Sequence, residues 1–487
     1  MIRVLLLLHR YLGIAVGALM AMWCVSGVVM MYVVYPSLDE NTRLHALEPV
    51  EWSGCCKISN EALSDRDLVS ELRIESLAGR AMIYLRTQRQ ARLIDLATGS
   101  PVTRVSPEQA ATVVQAYAKN QQPRAPRLLE TLDYDQWTVA GFRAERPLYR
   151  FTLGDEAGTE VYVSSVTGHA LQVTTVRERV WNWLGSIPHW LYFTELRHRP
   201  ALWSRIVIAT SLLGCFLAIT GLYIGVRQLL LRPVGRWSPY LGFKLWHHLA
   251  GLAFGVLTLS WVLSGLLSMN PWGLLEGGGG ERERSQLRGG HDISGAEIKA
   301  ALQSFAAVHP SGLVSVKSAP LNDQMYFIAS TATGDRRRLN ADADPAPLGA
   351  ADLAYVARVL GGGGAPLAPW LMRQEDAYYF GHHRDLAALP VYRMIIADGS
   401  ATRYYIDPIS GELLAKFDRG ALGYRWLHQG LHRMDFAAVM RGRPQWDILM
   451  LLLMSGVTMV CVTGTYLGCR RLFHWDRIPS RSRSAAP

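Results

Sequence analysis

Four long runs of apolar residues alternate with polar sequence along the chain. The runs fall within residues 1–35, 206–231, 249–269 and 448–467. Each is close to the roughly 20 apolar residues that an α-helix needs to cross the hydrocarbon core of a bilayer. The pattern therefore predicts four transmembrane helices. We expect the first to be retained, because it is too long for a cleaved signal peptide.

The two long segments between the runs, residues 36–205 and 270–447, carry a different pattern. Short stretches of alternating apolar and polar residues end at Gly, Asp or Asn, which is typical of strands joined by tight turns. These stretches are AMIYLRTQRQARLIDLATG, VYVSSVTGHAL, MYFIASTATGDRRRLNADAD and RYYIDPISGELL. Helices are expected to begin at Pro107 and near Ala351. Each long segment is therefore predicted to form an α+β domain.

Basic residues predict the orientation of the helices. The short loop 232–248 and the segment 468–487 are rich in arginine and lysine. Short basic loops stay on the cytoplasmic side of a membrane. We therefore expect both termini in the cytoplasm, the helices in a bacterial inner membrane and both α+β domains in the periplasm.

The two halves of the chain repeat each other. In the first and third runs, matched residues are 238 positions apart: His9 and His247, Gly13 and Gly251, Gly17 and Gly255. Later in each half the interval is 243, and the matched pairs include Asp133 and Asp376, Pro147 and Pro390, Tyr162 and Tyr405, His189 and His432, and Gly221 and Gly464. The sequence thus predicts two parallel repeats, each consisting of a helix, an outer domain and a helix. We expect a pseudo-two-fold axis along the membrane normal and a four-helix bundle around it.

One histidine near the start of the first and third runs is a candidate metal ligand. Residues four and eight positions later share its helical face, so Gly13 and Gly17 line up with His9, and Gly251 and Gly255 with His247. Imidazole is an axial ligand of haem iron, and glycines leave room for a flat macrocycle. We therefore predict a haem b between His9 and His247. The alternative for either stretch alone is a histidine hydrogen-bonded at the membrane interface, with small residues packing the helices.

His189 and His432 hold equivalent positions in amphipathic, aromatic segments before the second and fourth runs. Such segments lie at a membrane interface, so this pair is predicted to ligate a second haem b near the periplasmic face. His428 is an alternative ligand, because it shares a helical face with His432. His248 is expected to point about 100° away from His247. His382 and His383 are either substrate contacts or solvated loop residues. Six arginines flank this region and are expected to bind haem propionates or lipid headgroups: Arg197, Arg199, Arg205, Arg433, Arg441 and Arg443.

Composition and absent motifs exclude several classes of protein. The 487 residues are 49% hydrophobic and 18% charged, with a net charge of +10. Because the arginines collect beside apolar runs, this charge indicates a bilayer and no nucleic-acid partner. HExxH, GxSxG and nucleotide-binding fingerprints are absent. Two GGGG runs are expected to be flexible loops, since neither has the flanking residues of a phosphate-binding loop. Adjacent cysteines rarely bond each other, so Cys55 and Cys56 are predicted to be free or loosely redox-active.

Together these features resemble the PepSY-associated transmembrane family of bacterial inner-membrane proteins. The resemblance covers nearly the whole chain. It rests on HRYLG and HHLAG in the first and third runs, on YVSSVTGHAL and YYIDPISGELL as PepSY-like hairpins, and on a Trp six residues before His189 and before His432. It implies periplasmic PepSY-like domains, haem b and outward electron flow to ferric chelates, as in haem-containing ferrisiderophore reductases and iron-uptake membrane proteins.

The expected function is therefore electron transfer through two b-type haems to a ferric siderophore or another ferric chelate in the periplasm. Electrons would enter from a quinol or a cytoplasmic reductase. No acid–base catalyst is expected. One alternative is a membrane protein without enzymatic activity, whose PepSY-like domains bind a peptide or a protease. Another is a haem conduit that exchanges electrons with a different periplasmic protein.

Overall fold

The computed structural model describes residues 2–87, 91–118, 125–289, 292–362, 369–381 and 387–473. These residues form two compact units. We call the first, built from residues up to 34, 181–276 and from 423 onward, the helical unit. We call the second, built from residues 35–180 and 277–422, the sheet unit. Each long polar segment of the sequence therefore contributes to the sheet unit, and each apolar run to the helical unit.

The described residues contain both long and short α-helices. They are α1 (Ile2–Met30), α2 (Glu40–His45), α3 (Pro107–Gln115), α4 (Val176–Leu184), α5 (Ser186–Trp190), α6 (Thr194–Arg197), α7 (Pro200–Leu230), α8 (Phe243–Ser268), α9 (Glu281–Leu287), α10 (Gly295–Val308), α11 (Ala350–Gly361), α12 (Arg419–Tyr424), α13 (Leu431–Arg433) and α14 (Gln445–Phe473). A π-helix, Arg425–Gly430, connects α12 to α13.

The strands all belong to the sheet unit. They are β1 (Leu68–Val69), β2 (Glu71–Leu77), β3 (Arg80–Arg86), β4 (Ala91–Asp95), β5 (Ser100–Val102), β6 (Arg127–Leu132), β7 (Leu148–Thr152), β8 (Glu160–Ser164), β9 (Ala170–Thr174), β10 (Ile293–Ser294), β11 (Leu313–Ser318), β12 (Tyr326–Thr331), β13 (Arg336–Asn340), β14 (Trp370–Met372), β15 (Val391–Ile395), β16 (Arg403–Ile406) and β17 (Leu413–Phe417).

Four helices in the described part of the chain are long and apolar enough to cross a membrane: α1, α7, α8 and α14. Their positions confirm the four predicted apolar helices. α1 and α8 each pack against both α7 and α14, and the shared core includes Val16, Met20, Leu217 and Val457. The chain therefore folds as a membrane protein with additional sheet-containing domains.

The helix ends differ from the predicted ends. α1 ends at Met30, five residues before the predicted boundary at residue 35. α7 begins at Pro200, because proline at the first helical position loses no intrahelical hydrogen bond. α8 begins at Phe243, six residues before the predicted start at 249. His247 therefore lies inside this helix and not in the preceding loop. The first turn also contains Lys244, whose long side chain can reach water from a membrane helix.

A seven-stranded sheet joins the two halves of the chain. Its order is β13-β12-β11-β2-β3-β4-β5, so β2 of the first half pairs with β11 of the second. Ile74 lies opposite Val316 at the middle of this antiparallel pair. The core beside the sheet includes Leu72, Ile83 and Phe305. The two halves of the chain thus share one sheet.

Two four-stranded antiparallel sheets, β6-β7-β8-β9 and β14-β15-β16-β17, follow the same order. Tyr149 pairs with Val163 in the first, and Tyr392 pairs with Ile406 in the second. Both numbers differ by 243, so the two sheets have the same register. The four predicted strand–turn–strand stretches are confirmed as β3–β4, β8–β9, β12–β13 and β16–β17.

Local details confirm some predictions and correct others. The predicted helix start at Pro107 is confirmed, with a capping box between Ser106 and Gln109. A helix also begins at Ala350, beside the predicted Ala351. The hydroxyl of Tyr405 donates to Asp376 at 2.7 Å, but that of Tyr162 donates to Asp135 at 2.6 Å. Asp135, not Asp133, is therefore the structural counterpart of Asp376, because the loop before β7 is two residues shorter than its counterpart.

The prediction that Cys55 and Cys56 are free cysteines is wrong, and the alternative of a redox-active pair stays a prediction. The two cysteines form a disulfide. Gly54 and Cys56 both have positive φ angles, of 72° and 79°, and this tight turn brings the two sulfurs together.

Candidate metal centres between the long helices

The predicted partners His9 and His247 face each other inside the helical unit. His9 lies on α1 and His247 on α8, and their ring centroids are 6.3 Å apart, with an angle of 42° between the ring planes. We call this arrangement the inner pair.

Each ring of the inner pair is held by a helix other than its own. His9 Nδ1 lies 3.2 Å from the carbonyl oxygen of Leu217 and 3.3 Å from the hydroxyl of Thr220, both on α7. His247 Nδ1 makes the same contacts on α14, 3.1 Å from the carbonyl of Val460 and 3.2 Å from the hydroxyl of Thr463. Leu217 and Val460 are 243 residues apart, as are Thr220 and Thr463.

His189 and His432 form a second facing pair, which we call the outer pair. Their ring centroids are 6.1 Å apart, and the ring planes are nearly perpendicular at 73°. His189, on the short helix α5, lies with Nδ1 3.0 Å from the carbonyl of Trp23 and 3.2 Å from the hydroxyl of Ser26, both on α1.

His432 makes the corresponding contacts with α8. Its Nδ1 lies 3.0 Å from the hydroxyl of Ser264, and its ring also hydrogen-bonds the backbone of Trp261. Burial lowers the pKa of His189 to about 4 and that of His432 to about 3. Both imidazoles are therefore neutral at pH 7, which is the form that binds a metal.

The hydrogen bonds fix the tautomer of all four rings. A backbone carbonyl only accepts hydrogen bonds, so Nδ1 of His9, His247 and His189 carries the proton and donates it. The Ser264 hydroxyl donates to the carbonyl of Trp261 at 2.9 Å, so it accepts from His432 Nδ1. Nε2 is then left with a free lone pair. Metal-ligating histidines typically donate their other N–H to a carbonyl or carboxylate in this way.

The spacing within each pair matches two imidazoles on opposite sides of one metal ion. A metal–imidazole bond is about 2.0–2.1 Å long and each nitrogen lies about 1.2 Å from its ring centre, so the centroids of two collinear ligands should be about 6.4–6.6 Å apart. The observed distances are 6.3 and 6.1 Å. The described residues contain no group of three or more His, Cys, Asp or Glu side chains that could hold a metal. Within the described residues each pair therefore offers a metal two imidazoles and no third protein ligand of these types.

A hydroxyl residue followed by glycine contacts each of the four rings. These hydroxyl–glycine pairs are Ser26–Gly27, Thr220–Gly221, Ser264–Gly265 and Thr463–Gly464. A Cβ atom on Gly221 would lie 2.7 Å from His9 Cε1, and one on Gly464 would lie 2.9 Å from His247 Cε1. Glycine therefore allows the inner rings to reach the carbonyl one turn earlier. The sequence contained the repeated dipeptide, but only the geometry reveals its contact with histidine.

The four predicted glycines occupy two kinds of place. A Cβ on Gly17 would lie 2.9 Å from Thr465 Oγ1, and one on Gly255 would lie 2.6 Å from Leu222 Cδ2, so these two allow close helix packing. A Cβ on Gly13 would have only Leu217 at 4.0 Å, and one on Gly251 would have no neighbour within 4 Å. Space for an added Cβ is thus present beside Gly13 and Gly251, and the role of all four glycines in haem binding stays a prediction.

Two neighbouring histidines are placed differently from the facing pairs. Both ring nitrogens of buried His248 already have partners, since Nδ1 lies 2.8 Å from Ser238 Oγ and Nε2 lies 2.9 Å from the carbonyl of Gly225. This excludes His248 as a metal ligand. His428 Nδ1 lies 3.0 Å from the carbonyl of Ser264, and its ring lies beside that of His432 at 5.3 Å.

The π-helix explains how His428 is accommodated. Its counterpart 243 residues earlier is Gly185, where a Cβ would lie 3.0 Å from Val29 and 3.2 Å from the Trp181 carbonyl. A full side chain at this position needs a wider backbone, and π-turns inside helices frequently occur at functional sites. The predicted candidates His382 and His383 lie outside the described residues.

The flanking arginines are mostly engaged by the protein itself. Arg441 pairs with Asp435 at 2.6 Å, and Arg197 lies 4.6 Å above the ring of Trp203. Arg443 donates to the carbonyl of Met31. Among the described residues, however, the buried indole N–H groups of Trp23 and Trp261 have no hydrogen-bond acceptor. These two tryptophans are also the residues whose backbones bond His189 and His432.

Comparison with known proteins identifies the family of this chain. The family model described as "PepSY-associated TM region" matches residues 6–471, nearly the whole chain. No curated protein matches the chain significantly.

Proposed function

The chain belongs to the PepSY-associated TM region family, and from this premise we propose that it is a dihaem electron-transfer protein of a bacterial inner membrane. In this proposal it reduces a ferric chelate, such as a ferrisiderophore, in the periplasm. The observation that carries the proposal is the occurrence of two imidazole pairs, in which every Nδ1 lies within hydrogen-bond distance of a serine or threonine hydroxyl on another helix. A structural role for the histidines does not require two such rings, 6.3 and 6.1 Å apart in the two pairs, to lie side by side.

The positions of the two pairs support transfer across a membrane. His9 lies 14 residues before Trp23, the α1 residue that holds His189. At 1.5 Å per residue this is about 21 Å along the helix, compared with a hydrocarbon core of about 30 Å. The inner pair would therefore bind one haem b near the cytoplasmic face, and the outer pair a second near the periplasmic face.

We further propose that the chain consists of two parallel repeats related by a pseudo-two-fold axis. Supporting this are the equal registers of the two four-stranded sheets and the pairing of β2 with β11 about Ile74 and Val316. The matched contacts of the four histidines agree with the same symmetry. The basic loop 232–248 supports a periplasmic location of the sheet unit, by the positive-inside rule.

The reaction itself needs no acid–base group from the protein. One electron from a quinol or a cytoplasmic reductase converts one Fe(III) in the chelate to Fe(II), and no bond in the organic ligand breaks. Fe(II) is a softer ion that hard oxygen ligands hold less tightly, so the chelate releases it. Bound haem would supply reversible one-electron chemistry tuned by its ligands and burial. The protein residues position both haems, exclude water, and offer the indole N–H groups of Trp23 and Trp261 at the outer site.

Haem content and absorbance spectra of the purified protein test this proposal. We expect two low-spin b-type haems per chain in mild detergent. H9A and H247A should each lose the inner haem, and H189A and H432A the outer haem. H248A is the matched control, because His248 neighbours His247 but uses both nitrogens within the protein. The reduced wild-type protein should be reoxidised by a ferric hydroxamate or catecholate under anaerobic conditions.

Other results would support a different function or a different set of ligands. A folded preparation without haem would defeat the reductase proposal and favour a module that binds a peptide or a protease. Haem that ferric chelates do not reoxidise would favour a conduit to another periplasmic protein. Full haem content in H9A or H189A would contradict the ligand assignment.

A further inference from the structure

Two places in the sheet unit are built from corresponding elements of the two halves but carry different charges. The first lies between α2, β2 and the β8–β9 turn, and the second between α9, β11 and the β16–β17 turn. α2 and α9 both contain a Glu–x–x–Arg ion pair, Glu40–Arg43 at 2.8 Å and Glu281–Arg284 at 2.6 Å. Both turns contain a glycine with positive φ, Gly168 at 75° and Gly411 at 76°. The two places can therefore be compared residue by residue.

The first place is closed by its own side chains. Arg43 donates to the buried Glu75 at 2.9 Å, and His169 lies 3.4 Å from the same carboxylate. Ser315 donates to Glu75 at 2.7 Å. The remaining cavity is only about 30 Å³, which is enough for a water molecule and little else. Glu75 thus acts as the central anion of a satisfied network.

The second place carries the opposite charges at its centre. Lys317 stands where the first half has Glu75, and Glu412 stands where it has His169, 242 and 243 residues later. Arg284 cannot pair with a lysine. Its guanidinium instead donates to the carbonyls of Leu413 at 3.1 Å and Gly279 at 3.0 Å. Because no carboxylate stands at the position equivalent to Glu75, Arg284 is not held at the centre of this place, which contains a cavity of about 210 Å³.

Three of the charged side chains in this cavity have no ion-pair or hydrogen-bond partner in the part of the chain that the structure describes. Within the described residues, Arg288, Lys317 and Glu412 line the cavity and their side chains make no ion pair or hydrogen bond with the protein. Glu71 and Glu281, also in the lining, are already paired with arginines. The unpaired groups therefore leave one net positive charge and two cationic donors facing the same space.

We propose that this cavity binds a small organic acid, whose carboxylate or phosphate group takes the place that the Glu75 carboxylate holds in the first half. Arg288 and Lys317 are the charge-assisted donors for the anionic group. Glu412 accepts from a hydroxyl or amine on the same ligand. An apolar cavity of about 150 Å³ holds benzene, so a cavity of 210 Å³ admits a four- to six-carbon acid. This site involves no histidine of the facing pairs and does not depend on haem.

Calorimetric titration of the full-length protein in detergent tests the proposal, with succinate, citrate and inorganic phosphate as separate probes. We expect binding of at least one probe, weakened roughly tenfold or more in K317Q and in R288Q, because each variant removes a charged hydrogen bond. K57Q is the control, since Lys57 is an exposed lysine of the same unit outside the cavity. It should bind like wild type. The carboxylate and phosphate probes distinguish the two sources of negative charge.

K317E separates loss of a ligand site from loss of folding. It restores the carboxylate of the first half, so binding should disappear while the melting temperature stays equal to or above that of wild type. Binding by K317E with wild-type affinity would overturn the proposal, as would absence of heat with all three probes. Haem content is measured in the same samples and should not change. A failure here is thus distinguishable from failure of the dihaem proposal.

Discussion

Alanine at Gly221 should remove the inner haem, although alanine normally favours a helix. The new Cβ would lie 2.7 Å from His9 Cε1 and 3.4 Å from Nδ1. Ordinary carbon–carbon contact is about 3.5–4.0 Å, so the ring must move by roughly 1 Å. Metal–ligand distances in a functional site are held within about 0.2 Å. The displacement is therefore several times larger than coordination tolerates, and it also strains the hydrogen bond to Leu217.

G225A is a matched control one turn further along α7. A Cβ on Gly225 would have its nearest neighbour, Leu252 Cδ2, at 3.4 Å, which is an ordinary contact. Replacing a helix-interior glycine by alanine gains about 0.5–1 kcal/mol. We therefore expect G225A to keep both haems and to melt at the same or a higher temperature, while G221A keeps only the outer haem.

The assay is haem quantitation per chain with low-temperature absorbance and electron paramagnetic resonance spectra, which separate two low-spin haems. G464A should copy G221A, because its Cβ would lie 2.9 Å from His247 Cε1. Full haem content with unchanged spectra in both variants would refute the reasoning. Equal loss of both haems would show a general loss of folding and would also contradict a local effect of Gly221.

Three further predictions follow from single contacts. H428A should retain the outer haem and H432A should lose it, because the His432 ring is the one that faces His189. Absorbance spectra show which variant has lost the haem, and the reverse result would make His428 the ligand. D435N should lower the free energy of unfolding by roughly 3–5 kcal/mol, because it removes the carboxylate that lies 3.2 Å from the fully buried Arg425. Chemical denaturation in detergent measures this free energy, and a change below about 1 kcal/mol would contradict the prediction. Burial alone would raise the pKa of Asp376, but hydrogen bonds from the Tyr379 N–H and the Tyr405 hydroxyl hold that pKa below its usual value. A lowered carboxyl pKa stabilises the fold above about pH 4, and this stability is lost as pH falls through the folded-state pKa. The difference in melting temperature between wild type and D376N should therefore be largest at pH 7 and shrink below pH 4, and a difference independent of pH would refute it.

Much of the fold follows from the period of the apolar residues and from the repeat. Four apolar helices and four hairpins were predictable, because each depends on residues close together in sequence. The joining of β2 to β11 was not, since it pairs strands more than 200 residues apart and depends on which sheet edge is left free. The Cys55–Cys56 disulfide also needed the backbone turn at Gly54.

The candidate site was predictable only in part. The repeat indicated that His9 belongs with His247 and His189 with His432, and the structure places each pair face to face. The ligation of haem by these pairs stays a prediction. Sequence spacing singled out Gly13, Gly17, Gly251 and Gly255, which share a face with the inner histidines on their own helices. It missed Gly221 and Gly464, which touch the same rings from neighbouring helices, because a helical period contains no information about the opposite helix.

The hydrogen bonds of the four histidines also connect helix packing to cofactor binding. No imidazole is oriented by its own helix: α7 holds His9, α14 holds His247, α1 holds His189 and α8 holds His432. The inner site is therefore complete only when all four long helices have packed, and the outer site only when α5 and α13 have docked on α1 and α8. A haem that binds the packed bundle and not the separated helices stabilises it by mass action. Loss of the inner haem should consequently loosen contacts throughout the bundle, whereas loss of the outer haem should release only the two short helices and leave the inner spectrum intact.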